Sequence, residues 1–192
     1  MKRYLPVFAI FALLAAPSWA QDKPKSPAGT SATQVGENWI EVEYSRPILR
    51  GRSGIFGAGE TYGETVYAGA PVWRTGANQS TIFRTDVDLM FGETTVPAGQ
   101  YTLFVKLEEA GWTFILSNHK GKSNFRSEEE GIWGSYGYSE EKDVARLPMM
   151  MHEAPMSIDQ LTIGFADVTA EGGSVVIMWD KTVASCPFTV VG

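Results

Sequence analysis

The 192-residue chain carries 16 lysines and arginines against 22 aspartates and glutamates, a formal charge of −6. With no basic run, that balance excludes an electrostatic footprint for nucleic acid and the basic patch that would hold a protein on an anionic membrane. Cys186 is the only cysteine, so no intramolecular disulfide can form and the fold must rest on its core.

The N-terminus has the layout of a secretory signal peptide over residues 1–20. Lys2 and Arg3 precede an apolar run from Leu5 to Ala16, broken only by Pro6, and Pro17-Ser18-Trp19-Ala20 ends in a small-x-small pattern. The apolar run is shorter than the about 20 residues a membrane helix needs. The expectation is cleavage after Ala20, a periplasmic or secreted location, and no membrane insertion of the mature chain. Residues 21–31 (QDKPKSPAGTS) are rich in Pro, Lys and Ser and are expected to be a flexible lead-in. Residues 32–192 are expected to form one β domain, a size usual for a single core.

Beyond the lead-in the hydrophobic period is two. Ile40, Val42 and Tyr44 alternate with Glu41 and Glu43, and over Thr81–Leu89 the apolar Phe83, Val87 and Leu89 oppose Arg84, Asp86 and Asp88. Alternation of this kind predicts half-buried antiparallel strands. Phe91-Gly92-Glu93 and Val96-Pro97-Ala98-Gly99-Gln100 read as turns. Tyr101–Leu107 and Trp112–Ser117 are expected to pair around Glu108–Gly111. Ser157–Asp167 and Ser174–Asp180 are expected to pair around a Thr169–Gly173 turn, with Val183–Val191 as a last strand. Helical signals are limited to single turns near Ser127–Glu130 and Ser139–Glu141. The fold class predicted is all-β, an antiparallel β-sandwich or jelly-roll-like single domain with long loops and at most one or two short helical turns.

Two stretches do not alternate. Arg46–Gly76 is rich in Gly and aromatics, and Asn118–Lys142 is a long polar connection holding Phe125, Trp133, Tyr136 and Tyr138. Connections of that length tend to be binding loops or lids. Around them stand four arginines at strand–loop junctions. They lie in Tyr44-Ser45-Arg46-Pro47, Gly51-Arg52, Trp73-Arg74-Thr75-Gly76-Ala77-Asn78 and Asp143-Val144-Ala145-Arg146. A guanidinium offers five donors in a planar fork that fits carboxylate or phosphate and stacks on aromatic rings. Arg46, Arg52, Trp73, Arg74, Asn78, Trp133, Tyr136, Asp143 and Arg146 are therefore the candidate ligand-binding residues. The competing reading is structural: each arginine pairs with the protein's own acids, Asp143 and Glu43 being at hand. For Asn78 the competing role is a turn in which its side chain bonds its own backbone.

Other chemistry is not signalled. No nucleophile stands in a known catalytic frame, and His119 and His152 lack ligand spacing and are expected in surface or loop roles. Met149-Met150-Met151 is expected to pack in the core or at an edge, and Cys186 to be buried and inert. No cofactor and no metal site is expected.

The combination of these blocks with Pro97-Ala98-Gly99-Gln100-Tyr101, Trp112 and Trp133-Gly134 resembles the DUF2911 family of exported bacterial proteins, over roughly Ser26 to Val190. Trp73-Arg74-Thr75-Gly76-Ala77-Asn78 is the most specific block. The resemblance implies one extracytoplasmic β-rich domain and supplies no reaction, cofactor or catalytic residue. The chain departs from the family pattern between Gly57 and Trp73, where Ala58–Pro71 replaces a shorter link. The function expected is a non-enzymatic periplasmic module that binds an anionic or polar small molecule. The alternatives are an envelope-glycan hydrolase using Asp143 or a loop glutamate, or a structural module that docks a protein partner.

Overall fold

A computed structural model describes residues 25–191. The signal-peptide reading and the start of the lead-in lie outside those residues. Two antiparallel sheets face each other across one core. The larger has the order β1 (Ala28–Val35), β2 (Asn38–Ser45), β3 (Thr81–Thr85), β6 (Gly99–Glu108), β7 (Gly111–Ser117) and β8 (Asp143–Pro148). The smaller runs β5 (Thr94–Val96), β4 (Leu89–Phe91), β10 (Gly172–Val190) and β9 (Met150–Ala166). The chain is the antiparallel β-sandwich its alternation predicts. Ile40, Val42 and Phe83 from one sheet and Leu89, Phe91, Leu161, Ile163 and Phe188 from the other form the buried interior. Phe91 stacks on Phe114 across the sheets with ring centroids 5.5 Å apart. The Tyr44 hydroxyl ties the layers together, accepting the Ile163 amide at 2.9 Å and donating to the Ile163 carbonyl at 3.2 Å.

Several expectations are corrected. The lead-in is not flexible to Ser31: β1 begins at Ala28 and pairs with β2 along its whole length. Thr81–Leu89 is two strands in different sheets, turning at Asp86–Asp88, where the Thr85 hydroxyl donates to the Val87 carbonyl at 2.7 Å. The alternation continues through this corner because both sheets present their apolar faces to the same core. The predicted last strand is the continuation of β10 past a bulge at Asp180, whose φ of 51° breaks the register. No helical turn forms at Ser127–Glu130. One forms at Glu140–Lys142, as expected, and others at Gly59–Thr61 and in the four-residue α1 (Glu64–Tyr67).

The excursion from Arg46 to Ser80 spans the two sheets at one end of the sandwich. It starts on the open edge of β9, where the Leu49 amide donates to the Asp159 carbonyl at 2.7 Å and the Leu161 amide to the Pro47 carbonyl at 2.9 Å. It ends on β6, where pairing with β3 stops at Leu103 and Trp73 exchanges two 2.9 Å backbone bonds with Val105. Backbone groups of the β9 edge, and of β6 beyond its pairing with β3, are satisfied there. The second long connection is a fixed cover. Ile132 and Tyr138 pack on Val72, Phe104 and Ile115, on the outer face of β6 and β7. The Ser80 hydroxyl holds the Gly134 carbonyl at 2.7 Å, and Lys122 and Ile132 bond back within the loop.

Candidate functional site

A cavity of about 280 Å³ opens where these two connections meet the end of the sandwich, and five of the nine predicted residues line it: Arg52, Trp73, Arg74, Asn78 and Tyr136. Its floor is aromatic. Trp73 and Trp179 are stacked at 6.2 Å with planes 12° apart, and Phe56 meets both edge-on. Such contacts lock large side chains into one arrangement. Trp179 is aimed inward by the bulge that follows it. There the Asp180 carboxylate accepts the Gly54 amide at 2.7 Å and the Ser157 hydroxyl at 2.8 Å.

Arg74 stands in the tight loop between Trp73 and β3. Thr75 and Asn78 take positive φ of 52° and 61°. The Thr81 hydroxyl donates to the Thr75 carbonyl at 3.1 Å, and the Trp73 indole N–H donates to the Gly76 carbonyl at 3.3 Å. Gly76 is required here because a Cβ would lie 2.8 Å from the Ser45 carbonyl oxygen. The turn is made by the Asn78 backbone and not, as expected, by its side chain: the Asn78 carbonyl accepts from Arg74 Nη1 at 2.9 Å.

Arg74 is 7% exposed. Tyr136 covers one face at 4.8 Å from Cζ to the ring centroid, a cation–π contact. Gly134 lies against it so closely that a Cβ would come within 2.3 Å of Nη1. Among the described residues Arg74 forms no ion pair. Arg52, at the exposed side, donates Nε to the Leu49 carbonyl at 2.8 Å and Nη2 to the Ile48 carbonyl at 3.0 Å, and it too lacks an acidic partner among those residues. Among the described residues no aspartate or glutamate lines the cavity.

The other four predicted residues lie outside the lining. Arg146 follows the structural reading. Its Nη1 donates to Asp143 Oδ2 and to the Tyr138 hydroxyl, both at 2.7 Å, and Nη2 lies 3.4 Å from Glu140. Tyr138 also donates to Asp143 Oδ2 at 2.5 Å. Burial, and then the bond to that carboxylate, raise the Tyr138 phenol above its ordinary value. Asp143 is thus committed to a network that fixes the long loop to β8. Arg46 lies across Gly29, with its Nε buried and unpartnered. Trp133 is half-buried, and its carbonyl accepts the Tyr136 amide at 3.1 Å in the turn that presents Tyr136 to the cavity. Glu43, the other acid at hand, pairs with Arg84 on the outer sheet face.

His119 is not a surface residue. It is buried, and its Nε2 accepts the Ser139 amide at 3.0 Å, closing the base of the long loop. His152 is exposed. Of the three consecutive methionines, Met149 is in the core and Met150 at the exposed edge. Burial pushes the Cys186 thiol up to about 12, leaving it without thiolate character.

Among lining residues not singled out from the sequence, Ile55, Thr65, Val66 and Trp179 matter most. Thr65 and Val66 come from α1, within the stretch that departs from the family pattern. Trp179 carries no sequence signal beyond its place before an aspartate in a strand.

No curated protein and no solved structure matches the chain. The model of DUF2911, a family of proteins of unknown function, matches residues 26–188, and with that match across nearly all of the sandwich, the chain belongs to the DUF2911 family.

Proposed function

We propose that this chain is an exported, non-enzymatic binding module whose cavity takes an anionic or polar small molecule. The observation that carries the reading is the convergence of Arg52 and Arg74 on one aromatic-floored cavity without a carboxylate in its lining. A guanidinium held away from water and from protein acids is an electrostatic demand that a ligand anion answers. The cavity sits near the lower end of the ~300–1,000 Å³ usual for small-molecule sites, and its mix of apolar wall and few polar groups is typical of them. The described residues contain no helix long and apolar enough to cross a membrane. The periplasmic or secreted location rests on the N-terminal sequence pattern.

The test is Arg74→Ala. Its contacts within the protein are one backbone hydrogen bond and one cation–π contact, together about 1–2 kcal/mol. The apo Tm is expected to fall by only a few degrees, at ~2–4 °C per kcal/mol for a domain of this size. Thermal stabilisation by small anions and polar metabolites from a screening set is expected to vanish. A variant that fails to fold, or one still stabilised as the parent is, contradicts the reading.

A further inference from the structure

Building on that reading, we infer that the ligand is a compact organic acid with one carboxylate and no amine. Its carboxylate meets Arg74, and its hydrocarbon part lies against Trp179, Ile55 and Val66.

Charge and depth select the head group. Arg74 is 7% exposed, so a group that reaches it must shed water, and uncompensated charge there is costly. One buried guanidinium balances one negative charge. A phosphate monoester carries about −1.5 to −2 at neutral pH, and the excess finds little relief. Arg52 stands at the solvent side with Nε and Nη2 already given to the carbonyls of Leu49 and Ile48.

The geometry agrees. Asn78 holds Nη1, Tyr136 covers one face, and Gly134 crowds Nη1, Cζ and Nε. Nη2 has no protein acceptor, yet it is not among the polar atoms sealed from solvent without a partner, which are Arg46 Nε, Ser135 Oγ and Asp143 Oδ1. Nη2 is therefore left to donate to a ligand oxygen, a charge-assisted bond that a carboxylate accepts.

An ammonium group has no place. Among the described residues no acid lines the cavity, and a cation would enter beside two guanidiniums. The floor and one wall are apolar, and about 280 Å³ limits the body to a small ring or short chain.

The experiment titrates the purified protein with benzoate and hexanoate against their neutral isosteres benzamide and hexanamide, and with phenylalanine and phenyl phosphate. Binding is followed by the NMR shifts of the Trp73 and Trp179 indole N–H groups. Either acid is expected to bind saturably and at least about tenfold tighter than its amide, a difference of about 1.4 kcal/mol. Phenylalanine and phenyl phosphate are expected to bind more weakly than benzoate. In Arg74→Gln the acid-over-amide preference is expected to disappear while benzamide binding persists. Amides that bind as well as the acids would overturn the carboxylate assignment and leave a small-molecule site standing, as would tighter binding of phenylalanine or phenyl phosphate. If none of these six compounds binds, nor any member of a set of neutral sugars and nucleotides, the cavity reading falls with it. The acid–amide comparison is made on the unaltered protein, so it decides even if Arg74→Gln does not fold.

Discussion

Arg74 and Arg146 occupy similar places in the chain, each at a strand–loop junction, and each is touched by a tyrosine of the same long connection. Arg146 donates to the hydroxyl of Tyr138 and to Asp143, which it neutralises. Arg74 meets the ring face of Tyr136 and one backbone carbonyl, and among the described residues it forms no ion pair. The difference is one of charge balance. At Arg146 the protein has completed its own ion pair, which makes a rivet between loop and sheet. At Arg74 the cation is held in position by neutral contacts, which on the proposed reading leaves its charge for a ligand.

The comparison is broken most severely by removing Asp143. Asp143→Ala leaves Arg146 with the neutral Tyr138 hydroxyl and the exposed Glu140, 3.4 Å from Nη2, and breaking a largely buried pair costs roughly 3–5 kcal/mol. The Asp143 side chain is 4% exposed and that of Arg146 30%. Thermal unfolding is expected to show a Tm lower by roughly 10 °C, at ~2–4 °C per kcal/mol, with ligand binding at the cavity intact. Loss of binding without loss of stability would reverse the roles assigned to the two sites.

A smaller effect separates them by pH. The Tyr138 phenol is raised in the folded state by burial and by its bond to Asp143. Above the unfolded value of about 10 the unfolded chain gives up this proton while the native chain keeps it. Stability is therefore fully present below pH ~10 and declines as pH rises beyond it. Tyr138→Phe is expected to be less stable near neutrality and to show a shallower alkaline decline in chemical denaturation. An unchanged slope would mean that the phenol is not held by the network.

The smallest change is expected from Arg52→Ala. Its bonds go to two carbonyls of an exposed turn, so stability is expected to change by about 0.5 kcal/mol. Anion affinity is expected to fall less than in Arg74→Ala, since Arg52 sits nearer water, where screening weakens its pull. Calorimetric titration of the two variants side by side reads the order, and a larger loss at Arg52 would move the anion to the cavity mouth.

The sandwich was legible because Ile40, Val42 and Tyr44, and later Phe83, alternate with charged residues. That period survives wherever one strand face is core. It also hid the corner at Asp86–Asp88, because a chain passing between facing sheets keeps its apolar residues inward on both sides. The cavity was half legible. Arginine beside Gly, Pro and aromatic residues marks junctions, and five of the nine residues chosen on that ground converge. What separates Arg74 from Arg146 is the presence of an acid in space. Asp143, three residues before Arg146, was the available hint, but short sequence separation does not establish contact on an irregular strand end. Trp179 and Val66 reach the floor and wall through a bulge at Asp180 and a four-residue helix, neither of which follows from periodicity. The burial of His119 within the loop was not legible, because its acceptor role depends on Ser139, twenty positions away and brought close only by the folded loop.

The central claim, that Arg74 and Arg52, which form no ion pair among the described residues, face a common ligand while Arg146 does not, is tested most directly by arginine side-chain NMR. The Nε–H signals of 15N-labelled protein, assigned by single substitutions, are followed during titration with benzoate. Progressive, saturable shifts at Arg74, smaller ones at Arg52, and none at Arg146 or Arg84 are predicted. Shifts at Arg146 with Arg74 unmoved would contradict the account.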